Sequence, residues 1–337
     1  MKDWKSVLKA DPVDWLLEKN NPSVRYFTLI HILDKPQNNS EVQAAKKEIM
    51  NTGVVPKVLA KQNIGGYWEL PEKFYTAKYK GTSWQLIILS ELGADENEVS
   101  VKKACEFILE NSQDRESGGF SIWTSARKGG GRHNGVIPCL TGNMVWSLIR
   151  LGFLEDKRVK RGIDWIVKYQ RFDDGEVIPP KIWPYQKATS CFGKHSCHMG
   201  VAKSLKALAE IPSKKRSIAV VNTIERGVEY MLKHHIYKRS HNLTKVSKPG
   251  WLRFGFPLMY QTDVLEILGI LTNLGCKDER LQEAINLVKS KQDEKGRWKL
   301  ESTFNNRFQT SIEQKGKSSK WITLHALKVL KRFYEVL

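Results

Sequence analysis

A seven-residue mark recurs along this chain and limits what the chain can fold into. Gln62-Asn-Ile-Gly-Gly66-Tyr-Trp68 returns as Gln292-Asp-Glu-Lys-Gly296-Arg-Trp298, both fitting Gln-x-x-x-Gly-x-Trp. Gln113 ahead of Gly118-Gly119-Phe120 and Gln170 ahead of Asp174-Gly175 are looser copies, and His234-His235 before Trp251 holds a degenerate place in the series. The marks are spaced by 51, 57, 65 and 57 residues. Repetition at a period of this size signals supersecondary units that bury their apolar faces against one another. Each mark ends a helix with a 3.6-residue apolar period, such as Ala104-Cys105-Glu106-Phe107-Ile108-Leu109 or Ile163-Asp164-Trp165-Ile166-Val167. Its glycine supplies the stop and turn.

After a loop, each unit continues into a second, more apolar helix. These begin near Trp84, Met144, Val201, Val264 and Ile322. Apolarity on most sides requires burial, so the second helices belong inside. An N-terminal pair, Val13–Leu17 and Val24–Leu33, brings the total to about six units, with Pro12 and Pro22 suited to helix starts. Strand signals are sparse. The expectation is an all-α chain of one domain over residues 1–337, with an N-terminal helical pair in 1–50 and repeats in 51–337. With 337 residues, 41% of them apolar, it can bury a sizeable core.

The net charge of +19 is unevenly distributed. Segments 117–154, 177–209 and 230–262 contain no Asp or Glu and hold fifteen Lys and Arg, so the rest of the chain is nearly neutral. No apolar run approaches the roughly 18 residues of a membrane span, and no signal peptide is read at the start. Five cysteines are too few and too odd for a disulfide framework, and a cytoplasmic setting is expected.

The Gln/Trp marks resemble the repeats of squalene–hopene cyclases, and the Gly-Gly-Phe turn resembles those of protein prenyltransferase beta subunits, over about residues 50–335. This likeness to the terpenoid cyclase and prenyltransferase superfamily implies an α/α toroid of about six helix pairs, with inner helices ringed by outer ones around a central cavity. It also implies that Gln62, Trp68, Gln292 and Trp298 are structural, and that the inner helix starts line the mouth of the cavity. Each acid-free segment contains a loop and such a start, and helix N-termini favour anions. The expected ligand is therefore an amphiphile with an anionic, diphosphate-like head, such as an isoprenoid. Trp123, Arg127, Lys128, Arg132, Trp183, Lys194, Trp251, Arg253 and Tyr260 are its binding candidates.

The Asp-x-Asp-Asp acid motif of class II terpene cyclases is missing from the sequence. Asp263 follows the aromatic run Phe254-Gly-Phe-Pro-Leu-Met-Tyr260 and is the candidate acid, with a helix N-cap as its competing role. Cys139, Cys191, His195, Cys197 and His198 precede consecutive inner helices and form a candidate zinc set, since zinc takes about four N or S ligands. The run Gly131-Arg132-His133-Asn134-Gly135-Val136-Ile137-Pro138-Cys139 departs from the prenyltransferase pattern: Gly135 replaces the Lys and Pro138 the Asp ligand. A divergent transferase or cyclase, a non-catalytic lipid- or peptide-binding toroid and a carbohydrate-active α/α barrel all stay open. The acid-free loops count against the barrel, which would use paired carboxylates at inner helix starts. A protein partner is compatible with the prenyltransferase likeness. Nucleic acid is disfavoured, because no recognised binding module is present.

Overall fold

The structure, a computed structural model, describes residues 4–335. Its helices are, in chain order, α1 (Val13–Leu16), α2 (Pro22–His31), α3 (Ser40–Asn51), α4 (Val54–Leu59), α5 (Thr82–Leu92), α6 (Val99–Asn111), α7 (Pro138–Arg150), α8 (Lys157–Tyr169), α9 (Thr189–Phe192), α10 (His198–Glu210), α11 (Ile218–Lys233), α12 (Val264–Asn273), α13 (Gln282–Ser290) and α14 (Lys320–Tyr334). Two short antiparallel ribbons, β1 (Lys238–Arg239) with β2 (Asn242–Val246) and β3 (Trp298–Lys299) with β4 (Ser318–Ser319), decorate the connections. The chain is an all-α α/α toroid. Its inner ring is α2, α5, α7, α10, α12 and α14, and the other long helices lie outside. No helix among the described residues is long and apolar enough to cross a membrane.

Composition sorts the helices into the two rings. Helix α5 is buried along nearly its whole length, whereas α8 buries Val159, Ile163, Trp165 and Ile166 and turns its lysines and arginines outward. Neighbouring inner helices touch closely. A Cβ on Gly142 of α7 would lie 2.5 Å from the Lys203 backbone of α10, so glycine is needed for that approach. The Ser90 hydroxyl of α5 donates to the Ser147 carbonyl of α7 at 3.3 Å. The ring closes where α14 meets α2: Phe27 packs on Trp321, and the Lys331 ammonium donates to the Ile32 carbonyl at 3.1 Å.

The repeat mark supports this architecture through three recurring hydrogen bonds. The Trp68 indole N–H donates to the Val58 carbonyl at 2.9 Å, and the Trp298 indole does the same to Val288 at 2.7 Å, tying each turn back to its outer helix. The backbone N–H groups of Trp68, Phe120 and Trp298 donate to the hydroxyls of Thr82, Thr141 and Thr323 on the following inner helix. The Gln62 amide donates to the Ser100 carbonyl, and the Gln113 amide to that of Arg158, each at the start of the next outer helix. Gln292 instead accepts from the Lys9 N–H at 2.8 Å, which joins the last unit to the N-terminal segment. The marks are structural, as the resemblance implied.

Connection lengths make the two ends of the ring unequal. Inner helices lead to outer ones through six to eight residues, whereas the return connections from α4 onward take 22 to 30. All the long loops therefore gather at the end where inner helices begin.

Closure through the N-terminal segment can be tested at Gly296. Its φ is +73°, and a Cβ there would lie 2.0 Å from the Ala10 carbonyl oxygen, whereas Gly275, at φ +79°, has open space around it. Gly275→Ala is expected to cost about 1–2 kcal/mol for the left-handed backbone alone. Gly296→Ala should cost roughly twice as much in urea unfolding, and equal costs would show that the segment does not seal the ring.

Candidate functional site

The inner-helix starts do not form the mouth of the cavity. The uncharged run from Phe254 to Thr262 folds into the ring there, with the Asn143 amide donating to the Met259 carbonyl at 2.9 Å and the Gln261 amide to the Tyr79 hydroxyl at 3.1 Å. Phe256 stacks on Trp321 at 4.3 Å between centroids, and Tyr79 packs against Trp84 and Phe304 at 5.1 and 4.3 Å. A long apolar loop gains by burial, and here it closes that end. At the opposite end the short turns cannot reach across, and a cavity of about 340 Å³ remains among the C-terminal halves of the inner helices.

Aromatic and aliphatic groups, including Phe27, Trp146, Phe256, Ile270 and Trp321, make up part of the wall. Charged groups on the inner helices make up the rest. Lys203 and Glu266 pair at 2.7 Å, Lys206 bridges Glu266 at 3.1 Å and Glu91 at 2.6 Å, and Arg150 meets Glu210 at 3.2 Å. Burial alone would raise the Glu91 carboxyl, but Lys206 and His325 hold it down at about 2. Burial likewise opposes ionisation of Glu266, and Lys203 and Lys206 prevail to keep its carboxyl below the usual range. Removing one partner from such a buried network costs about 3–5 kcal/mol.

Lys328 and Arg332, one turn apart on α14, also line the cavity. Neither meets a carboxylate at ion-pair distance among the described residues. Burial, reinforced by Arg332 and Arg150, drives the Lys328 ammonium down to about 7. Burial and the charges of Lys328, Arg332 and Arg150 push the His31 imidazole down to about 2, and burial with Lys328 and Lys206 takes His325 to about 4. Glu210 draws both Lys328 and Arg332 towards their charged forms without reaching ion-pair distance, and Glu91 does the same for Lys328.

Asp263 is 2% exposed at the inner end of this cavity. It caps α12, with one oxygen accepting the Glu266 N–H and the other the Gly255 N–H, both at 2.8 Å. Burial raises its carboxyl to about 7 against those two hydrogen bonds, with Glu266 adding to the rise. The helix-cap role and the perturbed acid coexist in one residue.

The nine binding candidates named from sequence lie away from this cavity. Arg127, Lys128 and Arg132 border a surface hollow in the loop before α7, with Arg132 over the exposed Trp123 ring. Trp183 stacks on His133 at 3.9 Å, Trp251 stacks on His198 at 4.2 Å, and Tyr260 sits beside Tyr79 and Trp84. Lys194 and Arg253 are exposed. The zinc candidates are divided as well. Burial and mutual proximity push the Cys139 thiol up, and Cys191, raised to about 11, lies near Cys197. His195, however, turns to Asp174 at 3.3 Å and His198 to the Ile236 carbonyl at 3.1 Å. No group of three His, Cys, Asp or Glu among the described residues is placed to hold a metal ion.

Sequence reasoning missed Glu91, Lys206, Glu266, Lys328 and Arg332. For Glu91 and Glu266 the signal was present, each being the one charge in its helix, whereas Lys206, Lys328 and Arg332 share their helices with other charges. Such a charge must either pair in the interior or face a cavity.

No protein-family profile matches the chain, and no curated protein sequence matches it. Among solved structures it is similar to an unsaturated glucuronyl hydrolase specific for heparin, with a TM-score of 0.47, 12% identity, and coverage of 96% of this chain and 86% of that one. It is also similar to a variant of the type II terpene cyclase MstE from Scytonema bound to merosterolic acid A, with a TM-score of 0.32, 12% identity, and coverage of 85% and 96%. These likenesses concern the fold alone, which the helices above already define.

The raised Asp263 carboxyl has a stability signature. The fold favours its neutral form, so its contribution is complete below the unfolded value near 4. That contribution is lost as pH rises to about 7. Asp263→Asn loses the acceptor for the Gly255 N–H and should cost about 1 kcal/mol at pH 4.5. The deficit relative to wild type should shrink or reverse by pH 7.5 in urea titrations; a constant deficit would place the Asp263 carboxyl in its ordinary range.

Proposed function

We propose that this toroid binds a small amphiphile in the cavity at the inner-helix C-terminal end. The anionic head would lie against Lys328 and Arg332, and the apolar body against Phe27, Phe256 and Trp321. The observation that carries the proposal is the pair of cations on α14, which lines the cavity with no carboxylate at ion-pair distance among the described residues. An anion entering there gains the charge-assisted hydrogen bonds the protein does not supply, and low local polarity strengthens them. The volume lies at the lower end of the roughly 300–1,000 Å³ typical of small-molecule sites. An isoprenoid with a diphosphate or comparable head fits this division into charged and apolar surface. Transformation of the ligand would fall to Asp263, a carboxyl neutral enough near pH 7 to donate a proton.

One observation favours a second ligand class, an acidic sugar. The cavity has carboxyls of its own, with Asp263 raised to about 7 and Glu91 lowered to about 2. Carboxyls pushed apart in this way can serve as acid and base. The acid-free loops that weighed against this class lie at the other end of the ring.

Thermal shift with farnesyl diphosphate, inorganic pyrophosphate, farnesol and an unsaturated uronic-acid disaccharide separates these readings. A ligand at 100 times its dissociation constant adds about 2.7 kcal/mol of stability. Farnesyl diphosphate is expected to shift the protein more than pyrophosphate or farnesol alone, and Lys328→Gln with Arg332→Gln should abolish the shift. A response to the disaccharide only would select the sugar, and no response to any of the four would remove both. Because Lys328 loses its charge at about 7, anion affinity should fall between pH 6 and 8, and Lys328→Arg should flatten that profile.

A further inference from the structure

The basic loops that do not line the cavity need their own explanation. Seven of the eleven large apolar side chains found exposed among the described residues sit in the long connections at the inner-helix starts. That enrichment picks out one end of the ring. Val177, Ile178 and Ile182 are 63%, 84% and 60% exposed within Val177-Ile178-Pro179-Pro180-Lys181-Ile182, and Trp123 is 43% exposed in the neighbouring loop. The two loops are joined, since Trp183 stacks on His133 and its indole N–H donates to the His133 carbonyl at 3.3 Å. The hairpin of β1 and β2, which bears the exposed Leu243, is tied in by the Ser240 hydroxyl bonding the Asp174 carboxylate.

From Val177 to Lys194 the only charged side chains are Lys181, Lys187 and Lys194. Of the nearby carboxylates, Asp173 pairs with Arg171 at 2.7 Å, Asp174 with His195 at 3.3 Å and Glu176 with Lys233 at 2.6 Å, while Asp114 holds His133 at 2.8 Å and the exposed Glu116 lies 3.9 Å from it. Lys181, Lys187, Lys194, Arg239 and Lys245 are exposed and have no carboxylate at ion-pair distance among the described residues. Exposed aliphatic side chains interleaved with unpaired lysines suit a partner that is anionic on its surface and apolar just beneath.

We propose that this end of the toroid docks on an anionic lipid bilayer, with Ile178 and Ile182 entering the headgroup boundary and Lys181, Lys187 and Lys194 meeting the lipid phosphates and carboxylates. Apolar insertion and attraction to anionic lipid add in such interfacial binding. A nucleic acid would use the lysines but offer nothing to the isoleucines. The cavity opens on the opposite end, so docking leaves it facing away from the lipid, and the proposal does not depend on what the cavity holds.

The test is sedimentation of the full chain with vesicles of phosphatidylcholine alone or with about a third phosphatidylserine, from low salt to about 0.5 M. Wild type should bind the phosphatidylserine vesicles at least tenfold better than phosphatidylcholine and retain some binding at high salt. Combining Lys181→Gln, Lys187→Gln and Lys194→Gln should weaken binding at least tenfold. Ile178→Ser with Ile182→Ser should make the remaining binding fully reversible by salt. All five positions are exposed, and unchanged melting curves verify the folds. Failure of wild type to bind at low salt overturns the proposal. It is equally overturned if the serine variant binds vesicles as wild type does, or if a DNA duplex is bound more tightly than the vesicles and the serine changes have no effect on it.

Discussion

A helix that is apolar on every side has to be covered on every side, and the rest of this structure depends on that requirement. Helix α5 exposes almost nothing, and α7, α10, α12 and α14 are nearly as deeply placed. Six such helices cover one another only as a closed ring with outer helices behind them. An open row would leave its two terminal inner helices bare, at a cost of about 25 cal/mol for each Å² of apolar surface left in water. The recurring turn makes closure possible by holding each outer helix at a fixed offset from the next inner one through paired indole, amide and threonine hydrogen bonds.

Closing the ring brings the few charges on these helices together. Lys203, Lys206, Glu91 and Glu266 come from three helices distant in sequence and neutralise one another where water is scarce. Lys328 and Arg332 lie on the same wall with no carboxylate at ion-pair distance among the described residues. The contrast locates the ligand site, because a buried network satisfied internally serves the fold, whereas buried cations left over favour an anion from outside. Asp263 belongs partly to each category. It holds the start of α12 and the loop at Gly255, and in doing so it keeps a carboxyl in a place that disfavours its charge.

The two ends of the ring have diverged because their connections differ in length. Loops of 22 to 30 residues carry enough chain to fold inward and fill one end, with Phe256 and Tyr79 at the centre of the filling. Turns of six to eight residues leave the other end open. Arg150, Lys203 and Lys206 of the basic segments belong to the charged groups at the hollow end, whereas the loops of those segments lie over the filled end. There they form a surface of lysines and exposed isoleucines instead of the lining of a pocket.

Periodicity, the Gln-x-x-x-Gly-x-Trp marks and the apolar inner helices determined the all-α class, the number of units and the structural role of Gln62, Trp68 and Trp298. These are properties of neighbours along the chain, and hydrogen bonds within a unit follow from local spacing. Asp263 was also legible as both cap and candidate acid, because the aromatic run before it and the helix after it are contiguous. Only the tertiary structure decided which end of the ring is hollow, that His195 bonds to Asp174 and His198 to the Ile236 carbonyl, and that Lys206 has carboxylates at ion-pair distance while Lys328 has none among the described residues. Those outcomes depend on which distant side chains share a small dry volume, and nothing in a linear spacing fixes that.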